Sequence, residues 1–420
     1  MVNVTQEEYR ATTQRGRIIH TKINVLNFQL QTVGEISGVV LDGSTYNTDA
    51  TSDIRRTCSI SLIPKDASFD ISYGSKIWMD KYVQVFIGIE DTKNNNEVVY
   101  SNIGLYLINN PEQVYDAINN TITINGIDLM AKITGMRNGY LEGVSYQIPM
   151  NSGIKQAMTS LIRDECGFSL YSIDQPDPTI FTPYEMSFGL GSTAYNILTQ
   201  LRDINANYQT YFDQEGIFWF NKIPSGDNEQ IMIDDEIWNK VLISYKKSTD
   251  FESVKNYIEV FGKTQDKYYY SKKAEEPDGV RKKYYTPYGV AYDNNPESPF
   301  YVGQNMENRI RIVLTGGEYD NIYPIRNNSG TVTSLADFNS LAQQRANYEL
   351  YTRCRLQDQI ELTCVPIYWL DVNWLIRITL PNKQGTPTTD YYIIKKINTT
   401  LGVNGTQTIT CMKYYPFYPF

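Results

Sequence analysis

Nucleophilic catalysis by serine or cysteine usually needs a histidine as general base, and this 420-residue chain has one histidine. His20 is its single histidine, so a Ser-His-Asp or Cys-His arrangement would have to use it, with Cys58 or a serine as nucleophile. His20 lies between Ile19 and Thr21 near the start of a predicted strand, where a surface or sheet-edge histidine is the usual finding. The sequence therefore predicts no nucleophilic catalysis.

Paired carboxylates are the remaining route to hydrolysis, because glycoside hydrolysis needs only two of them at a set separation. Candidates are Asp213 with Glu215, the run Asp234, Asp235 and Glu236, and Glu275 with Glu276. The segment from Asp213 to Gly216 is typical of a turn between two strands. The acidic run before Trp238 is typical of a helix N-terminus, where negative charge is favourable. We expect no catalytic residue and a protein that is not an enzyme.

Cofactor and metal binding are not predicted either. The cysteines are odd in number and scattered without a CxxC pair, which is typical of free thiols: Cys58, Cys166, Cys354, Cys364 and Cys411. Zinc needs several His or Cys ligands at close spacing, and Cys354 and Cys364 have none nearby. Gly189, Gly191 and Ser192 lack the lysine of a phosphate-binding loop.

The composition excludes several classes of protein. A net charge of −9 and a pI near 4.9 argue against a protein that recognises nucleic-acid sequence, which needs a basic face for the phosphates. The 34 tyrosines favour strands and wet interfaces. The N-terminus has no apolar signal-peptide core, and no apolar run is long enough to span a membrane, so we expect synthesis as a soluble cytoplasmic protein.

The predicted fold class is mainly β with an α+β insert, in which two β-barrel domains flank a small helix-plus-hairpin domain. Residues 1–136 form the first barrel, because short segments alternate apolar and polar residues between turn sequences. The strands predicted there include Lys22 to Leu26, Cys58 to Leu62, Val83 to Ile87 and Thr121 to Asn125.

Residues 137–230 form the predicted insert. One helix begins after Ser152 as its N-cap and stops at Gly167, and a second is capped at Ser192 or Thr193. A hairpin from Tyr208 to Phe220 follows. The apolar faces of the two helices are formed by Ile154, Ala157, Met158, Leu161 and Ile162, and by Ala194, Ile197, Leu198, Leu201 and Ile204. No repeat period is evident at the residue level.

Residues 231–420 form the predicted second barrel, with one helix at 334–351 and a protruding loop at 267–301. Its strands are predicted at Asn256 to Gly262, Arg309 to Leu314, Gln359 to Val365, Trp374 to Leu380, Tyr391 to Ile397 and Gln407 to Lys413. The loop is rich in tyrosine and in charges of both signs, and a subunit contact, a solvated loop and nucleic-acid contact stay open for it. Its candidate interface residues are Tyr268, Tyr269, Tyr270, Tyr284 and Tyr285.

The order of these motifs resembles the hub proteins of phage tails and related contractile injection machines. The resemblance is carried by LTQLRDINANYQTYFDQEGIFWFNKIP, then DFESVKNYIEVFGK, then the stretch that ends in VPIYWLDVNWLIRITLP, and finally DYYIIKKINTTLGVNGTQTITCMKY. The motifs are structural, and their order extends over most of the chain. No peptidase or lysozyme module is recognised in this sequence, so a wall-degrading role is not expected.

The resemblance implies a homotrimer whose two tail-tube-like barrels per chain form a ring with pseudo-six-fold symmetry. This ring would join the tail tube or distal tail protein to a central spike or tip, contact the C-terminus of the tape-measure protein, and let DNA pass without specific binding or stable membrane insertion. The implied location is the tail tip or baseplate of a virion assembled in the host cytoplasm. The alternatives are a tail-associated carbohydrate-binding or depolymerising protein and a β-sandwich adhesin.

Overall fold

The computed structural model describes a large, discontinuous part of the chain. The described residues are 4–36, 39–40, 42–63, 69–115, 120–141, 143, 145–176, 181–182, 185–205, 207–226, 228–249, 251–262, 289–292, 296–297, 308–314, 345–353, 359–381, 385–402 and 404–416.

Strands dominate the described residues. The strands are β1 (Ile19–Leu26), β2 (Thr32–Ile36), β3 (Val39–Val40), β4 (Thr45–Asp49), β5 (Arg56–Ile63), β6 (Tyr82–Asp91), β7 (Glu97–Tyr115), β8 (Asn120–Ile127), β9 (Tyr146–Ile148), β10 (Tyr171–Ile173), β11 (Met186–Phe188), β12 (Tyr208–Phe212), β13 (Phe218–Lys222), β14 (Ile231–Ile233), β15 (Leu242–Ser248), β16 (Tyr257–Gly262), β17 (Gly289–Tyr292), β18 (Arg309–Leu314), β19 (Gln359–Cys364), β20 (Leu375–Leu380), β21 (Thr388–Thr400) and β22 (Gln407–Lys413). The helices are α1 (Gln6–Thr13), α2 (Ile154–Ser160), α3 (Ala194–Asp203), α4 (Asp235–Val241) and α5 (residues 345–353). The mainly β class with a helix-plus-hairpin insert is confirmed.

Strands from both predicted barrel regions belong to one sheet. Its hydrogen-bonded order is β15-β19-β22-β21-β4-β5-β8-β7-β6-β1-β2 within the described residues, with β3, β14 and β20 off this path. The first half of β21 pairs with β20, and the segment from Lys396 to Thr400 pairs with β4. The two predicted β regions are therefore joined by direct strand pairing between β21 and β4. Fourteen of the described strands belong to this sheet, and β16, β17 and β18 form a separate three-stranded sheet. Closed barrels are not seen among the described strands, because alternation predicts a strand but not its neighbour.

The insert packs against one side of this sheet. Its hairpin, β12 and β13, extends to β10, and β9 pairs with β11. The predicted apolar faces of α2 and α3 are buried in one core, which also includes Leu105 and Leu107 of β7. The insert is thus held by hydrophobic burial against the first β region.

The insert contains a repeated strand–turn–helix unit that was not detected in the sequence. The first unit is β9, a turn and α2; the second is β11, a turn and α3, with each element at the same offset from its counterpart. Asn151 and Gly191 occupy equivalent turn positions, and both have positive φ, 62° and 87°. Gly153 and Thr193, the equivalent N-cap residues, each form an isolated β-bridge.

One predicted helix cap is wrong. The hydroxyl of Ser152 donates to the carbonyl oxygen of Pro149 at 2.7 Å, so Gly153 is the N-cap of α2 and has no side-chain bond. The cap at Thr193 is confirmed, since its hydroxyl accepts from the amide of Asn196. Gly167, predicted to stop the first helix, has φ of 71°. The domain boundaries predicted after residues 136 and 230 stay predictions.

A buried ion pair joins the three parts of the chain. Arg56 begins β5 and is only 1% exposed. Its Nη2 lies 2.5 Å from Oδ2 of Asp371, just before β20, and its Nη1 donates to the carbonyl oxygen of Phe212, the last residue of β12. The Asp371 carboxylate also accepts from the side chain of Gln214 and the amide of Val372. A single guanidinium thus bonds both the insert and the second β region.

Asp128 completes this polar junction from the first β region. Its two carboxylate oxygens accept from the backbone amides of Arg56 and Met130, each at 2.9 Å. Burial raises the pKa of Asp128, although these hydrogen bonds and the charge of Arg56 act in the opposite direction. The carboxylate therefore fixes the backbone where β5 and the end of β8 meet.

The N-terminal helix α1, which was not predicted, connects the two β regions a second time. A capping box between Thr5 and Glu8 starts it. Nε of Arg10 donates to the buried Asp91 at the end of β6, at 2.6 Å, and this bond lowers the pKa of that carboxyl. Nε1 of Trp369 in the second region donates to the hydroxyl of Thr12 at 3.0 Å. Helix α1 therefore connects the first and second β regions through these two hydrogen bonds.

Replacing Arg56 with methionine should destabilise the protein strongly, because Asp371 would stay buried without its counter-charge. Breaking a buried pair in this way costs about 3–5 kcal/mol. Urea unfolding measures the change. The control is Arg163→Met, since Arg163 pairs with Asp164 while both side chains are about half exposed. A shift in the unfolding midpoint no larger than that of the control would contradict the role assigned to the junction.

Replacing Gly216 with alanine tests how tightly the hairpin turn fits. Gly216 has φ of 81°, and a Cβ there would lie 2.6 Å from Cδ2 of Leu105. Gly191 has a similar φ, 87°, with nothing within 4 Å of its would-be Cβ. Gly191→Ala should cost about 1–2 kcal/mol for the backbone conformation alone. Gly216→Ala should cost about 1–3 kcal/mol more from overpacking, and equal losses in thermal unfolding would refute the contact.

Candidate functional site

The two ends of the large sheet are the first candidate assembly surfaces. β2 and β15 each have a pairing partner on one side only, within the part of the chain that the structure describes. Val33 on β2 is 47% exposed and Ile243 on β15 is 58% exposed. An unpaired edge presents free amide and carbonyl groups that another strand can use.

The two edges differ in charge. β15 carries the exposed Lys246 and Lys247, whereas β2 carries the exposed Glu35. Glu35 lies 4.0 Å from Lys22 on the neighbouring strand, both side chains being exposed. Such a surface pair contributes little to stability, so the carboxylate is open to a second cation. The two edges are therefore complementary to each other in charge.

A cavity of about 420 Å³ lies where the first β region, the insert and the second β region meet. Arg55, next to the buried ion pair, is 5% exposed; its Nη2 donates to Oε1 of Gln209 at 2.7 Å, and its Cζ lies 3.8 Å from the ring centre of Tyr211. Oε1 of Gln209 also accepts from Nδ2 of Asn373 in the second region. Burial lowers the pKa of Arg55 to about 10.

A second cleft, of about 720 Å³, has carboxylates and indole rings in its wall. Its acidic residues are Glu7, Glu8, Glu97, Asp213 and Glu215. The Asp213 carboxylate accepts from the amides of Glu215 and Ile217 and from Nε1 of Trp219, all within its own hairpin. Asp213 is therefore the turn residue that the sequence predicts, with its oxygens already bonded.

Some of the other residues singled out in the sequence lie on described elements, and the rest lie outside the described residues. His20 lies on β1, with Nε2 2.7 Å from Oε1 of Glu90. Asp234 is the N-cap of α4, as predicted. The described cysteines are free: Cys58, Cys166, Cys364 and Cys411. The candidate interface residues Tyr268, Tyr269, Tyr270, Tyr284 and Tyr285, and Cys354, Glu275 and Glu276, lie outside the described residues.

Two further searches of the described residues give no site. No group of three or more His, Cys, Asp or Glu side chains is arranged to hold a metal ion in the ranges described above. Among the helices described, none is long and apolar enough to cross a membrane.

The junction residues were not singled out in the sequence, although a signal was present. Arg56 alternates with Cys58, Ile60 and Leu62, which are buried on one face of β5. A charged residue in register with three apolar ones is expected to be buried and paired. Asp371 likewise lies among apolar neighbours, in Trp-Leu-Asp-Val. The pattern thus indicated two buried charges, but not that they meet.

Comparison by sequence gives limited information. A family model described as a domain of unknown function (DUF5048) matches residues 297–418, less than half of the chain. No curated protein matches the chain.

Comparison of structures extends over nearly the whole chain. The tail protein from Neisseria meningitidis MC58 is 10% identical, with a TM-score of 0.55 over 94% of this chain and 96% of that one. The 43 kDa tail protein of prophage MuSo2 from Shewanella oneidensis is 11% identical, with a TM-score of 0.56 over 93% and 98%. A chain of the half-lidded Francisella PdpA-VgrG complex is 9% identical, with a TM-score of 0.52 over 97% and 60%.

Identities this low show the fold alone. The chain therefore has the fold of phage tail proteins and of VgrG-complex chains, and the resemblance to the tail hub family predicted from its motifs is confirmed at the level of fold.

Proposed function

We propose that this protein is a structural hub of a phage tail tip or baseplate, and that it acts as a homotrimeric ring between the tail tube and a central spike or tip. The observation that carries the proposal is the fold shared with the Neisseria and Shewanella tail proteins over more than nine-tenths of the chain. The match with a chain of the Francisella PdpA-VgrG complex supports a role within a larger assembly.

The open edges of the sheet supply a way to form the ring. β15 of one copy pairs with β2 of the next, so that one of the consecutive residues Lys246 and Lys247 lies on the same face as Glu35. The interface is heterologous, and repeated rotation about one axis closes it into a ring. Closure removes both edges, which would otherwise promote aggregation. Each copy contributes strands from its two β regions, giving six similar arcs in a trimer.

The ring is proposed to surround the channel through which DNA leaves the virion. A net charge of −9 suits that role, because an acidic lining repels the polymer instead of retaining it. The tail tube or distal tail protein and the tape-measure C-terminus are the proposed neighbours on one side, and the spike on the other. The proposed location is the virion, after assembly in the host cytoplasm.

The proposed role needs no catalysis. The carboxylate pair best placed for it, Asp213 and Glu215, lies in a turn where Asp213 already accepts three hydrogen bonds. These bonds hold the Asp213 carboxylate within its own hairpin, where it stabilises the turn. We therefore propose a protein without enzymatic activity.

The alternative is a tail protein that binds or depolymerises host-surface carbohydrate. The cleft that contains Trp219, Trp369 and Glu97 is the feature that favours it. Trp369 is nearly buried, and its Nε1 is bonded to Thr12, so it offers a sugar little ring surface. Release of reducing sugar from purified host-surface polysaccharide, abolished by Glu97→Gln, would establish the alternative instead.

The mass of the native particle tests the ring. Native mass spectrometry should give three times the 48.3 kDa of one chain, and electron microscopy should give a three-fold ring with a central hole. A stable monomer at micromolar concentration, with no ring after addition of tail-tube protein, would refute the hub proposal.

Replacing Val33 with lysine tests the edge that forms the ring. A lysine at position 33 would meet whichever of Lys246 and Lys247 of the next copy lies on the same face of the sheet. Like charges across a strand pair are destabilising. Size-exclusion chromatography with light scattering should show the trimer replaced by monomers. The control is Val114→Lys, because Val114 is 46% exposed on β7, away from both open edges. A trimer that survives Val33→Lys would exclude β2 from the interface.

A further inference from the structure

The cavity at the three-part junction has a charge opposite to that of the whole chain. Its wall contains five basic residues, Arg55, Arg202, Arg345, Arg353 and Lys395, and three acidic ones, Asp53, Asp203 and Glu349. The chain as a whole carries a net charge of −9. An excess of positive charge that includes the buried Arg55 attracts anions more strongly than the same charge fully exposed at the surface.

The carboxylates in this wall form salt bridges with some of the basic residues but not with Arg55. Nε of Arg202 lies 2.7 Å from Asp203, and Glu349 bonds both Arg345 and Arg353 at 2.9 Å. Arg55 forms no salt bridge within the described residues, and its one hydrogen bond is to the neutral Gln209. A guanidinium has five N–H donors, so most of those of Arg55 are available.

Asn205 is a second donor without a partner. It lies just after α3, is 6% exposed, and lines the same cavity. Its Nδ2 has no hydrogen-bond partner among the described residues. Leaving a buried amide donor unpaired costs about 1–3 kcal/mol. Buried donors that lack acceptors around one cavity are satisfied by a ligand that brings acceptors.

We propose that this cavity binds an oxyanion, a phosphate or carboxylate group, through Arg55 and Asn205. The planar guanidinium matches two oxygens of either group, and the amide of Asn205 supplies a further donor. The bound anion neutralises Arg55, whose pKa is lowered by burial. Because the wall is shared by all three parts of the chain, the anion holds them together. This site does not depend on the proposed tail role.

Isothermal titration with sodium phosphate, at constant ionic strength set with sodium chloride, tests the site. The wild-type protein should bind one phosphate per chain, and its melting temperature should rise with phosphate concentration. Arg55→Gln should weaken binding at least ten-fold and remove the rise in melting temperature. The control, Arg163→Gln, changes an exposed arginine outside the cavity and should bind phosphate as the wild type does.

Asn205→Ala decides the result if Arg55→Gln does not fold, as judged by circular dichroism, and it should weaken binding several-fold. A parallel titration with sodium succinate distinguishes a carboxylate ligand from a phosphate ligand, since the tighter binder identifies the class. Equal binding of phosphate by the wild type, Arg55→Gln and Asn205→Ala would mean an adventitious ion only. That outcome, or no saturable binding of either anion by the wild type, would overturn the proposal.

Discussion

The buried ion pair between Arg56 and Asp371 fixes how the three parts of this chain are arranged. A buried pair gains little net stability over apolar residues of the same volume, because both charges lose their hydration. The two side chains must nevertheless meet in the folded protein, since burying either charge without the other is costly. Arg56 bonds Asp371 and the carbonyl oxygen of Phe212 together, so the second β region and the insert hairpin must both be in place. The pair therefore contributes specificity of arrangement more than stability.

The continuous sheet depends on this arrangement. β21 pairs with β20 along its first half and with β4 along its second, and it changes partner at the irregularity between Ile394 and Lys396. Strand pairing alone does not fix the angle between the two β regions, because the angle between adjacent strands varies widely. The Arg56–Asp371 ion pair and the hydrogen bonds of α1 to both β regions restrict that angle. Since β2 and β15 lie at opposite ends of the sheet, the same restriction sets the angle at which successive copies would meet.

Most strands could be predicted from the sequence, whereas the strands with which they pair in the sheet could not. Alternation identified β1, β5, β8 and β22 within a few residues, because one face of each is buried and the other is not. The β21–β4 pairing joins segments more than three hundred residues apart, and no local pattern encodes it. Helix α1 was missed because it is short and polar, with only Ala11 and Thr12 buried. For the candidate site, the alternation of β5 predicts that Arg56 is buried, but its partner comes from tertiary structure. The unsatisfied donors of Arg55 and Asn205 likewise appear only when three separate segments surround them.

The two strand–turn–helix units of the insert show which sequence features are shared when two segments have the same fold. The two turns share a positive φ but not a residue, since Asn and Gly both tolerate that region. The helices share the buried positions of Met158 and Leu198, and of Ala157 and Ile197, which differ in shape but keep the apolar spacing. The N-caps differ more, because Thr193 uses its hydroxyl and Gly153 cannot. Each requirement is met by a class of residues and not by one residue. Identity between the two units is therefore low even within one chain, and the same reasoning explains how chains about 10% identical in sequence share this fold.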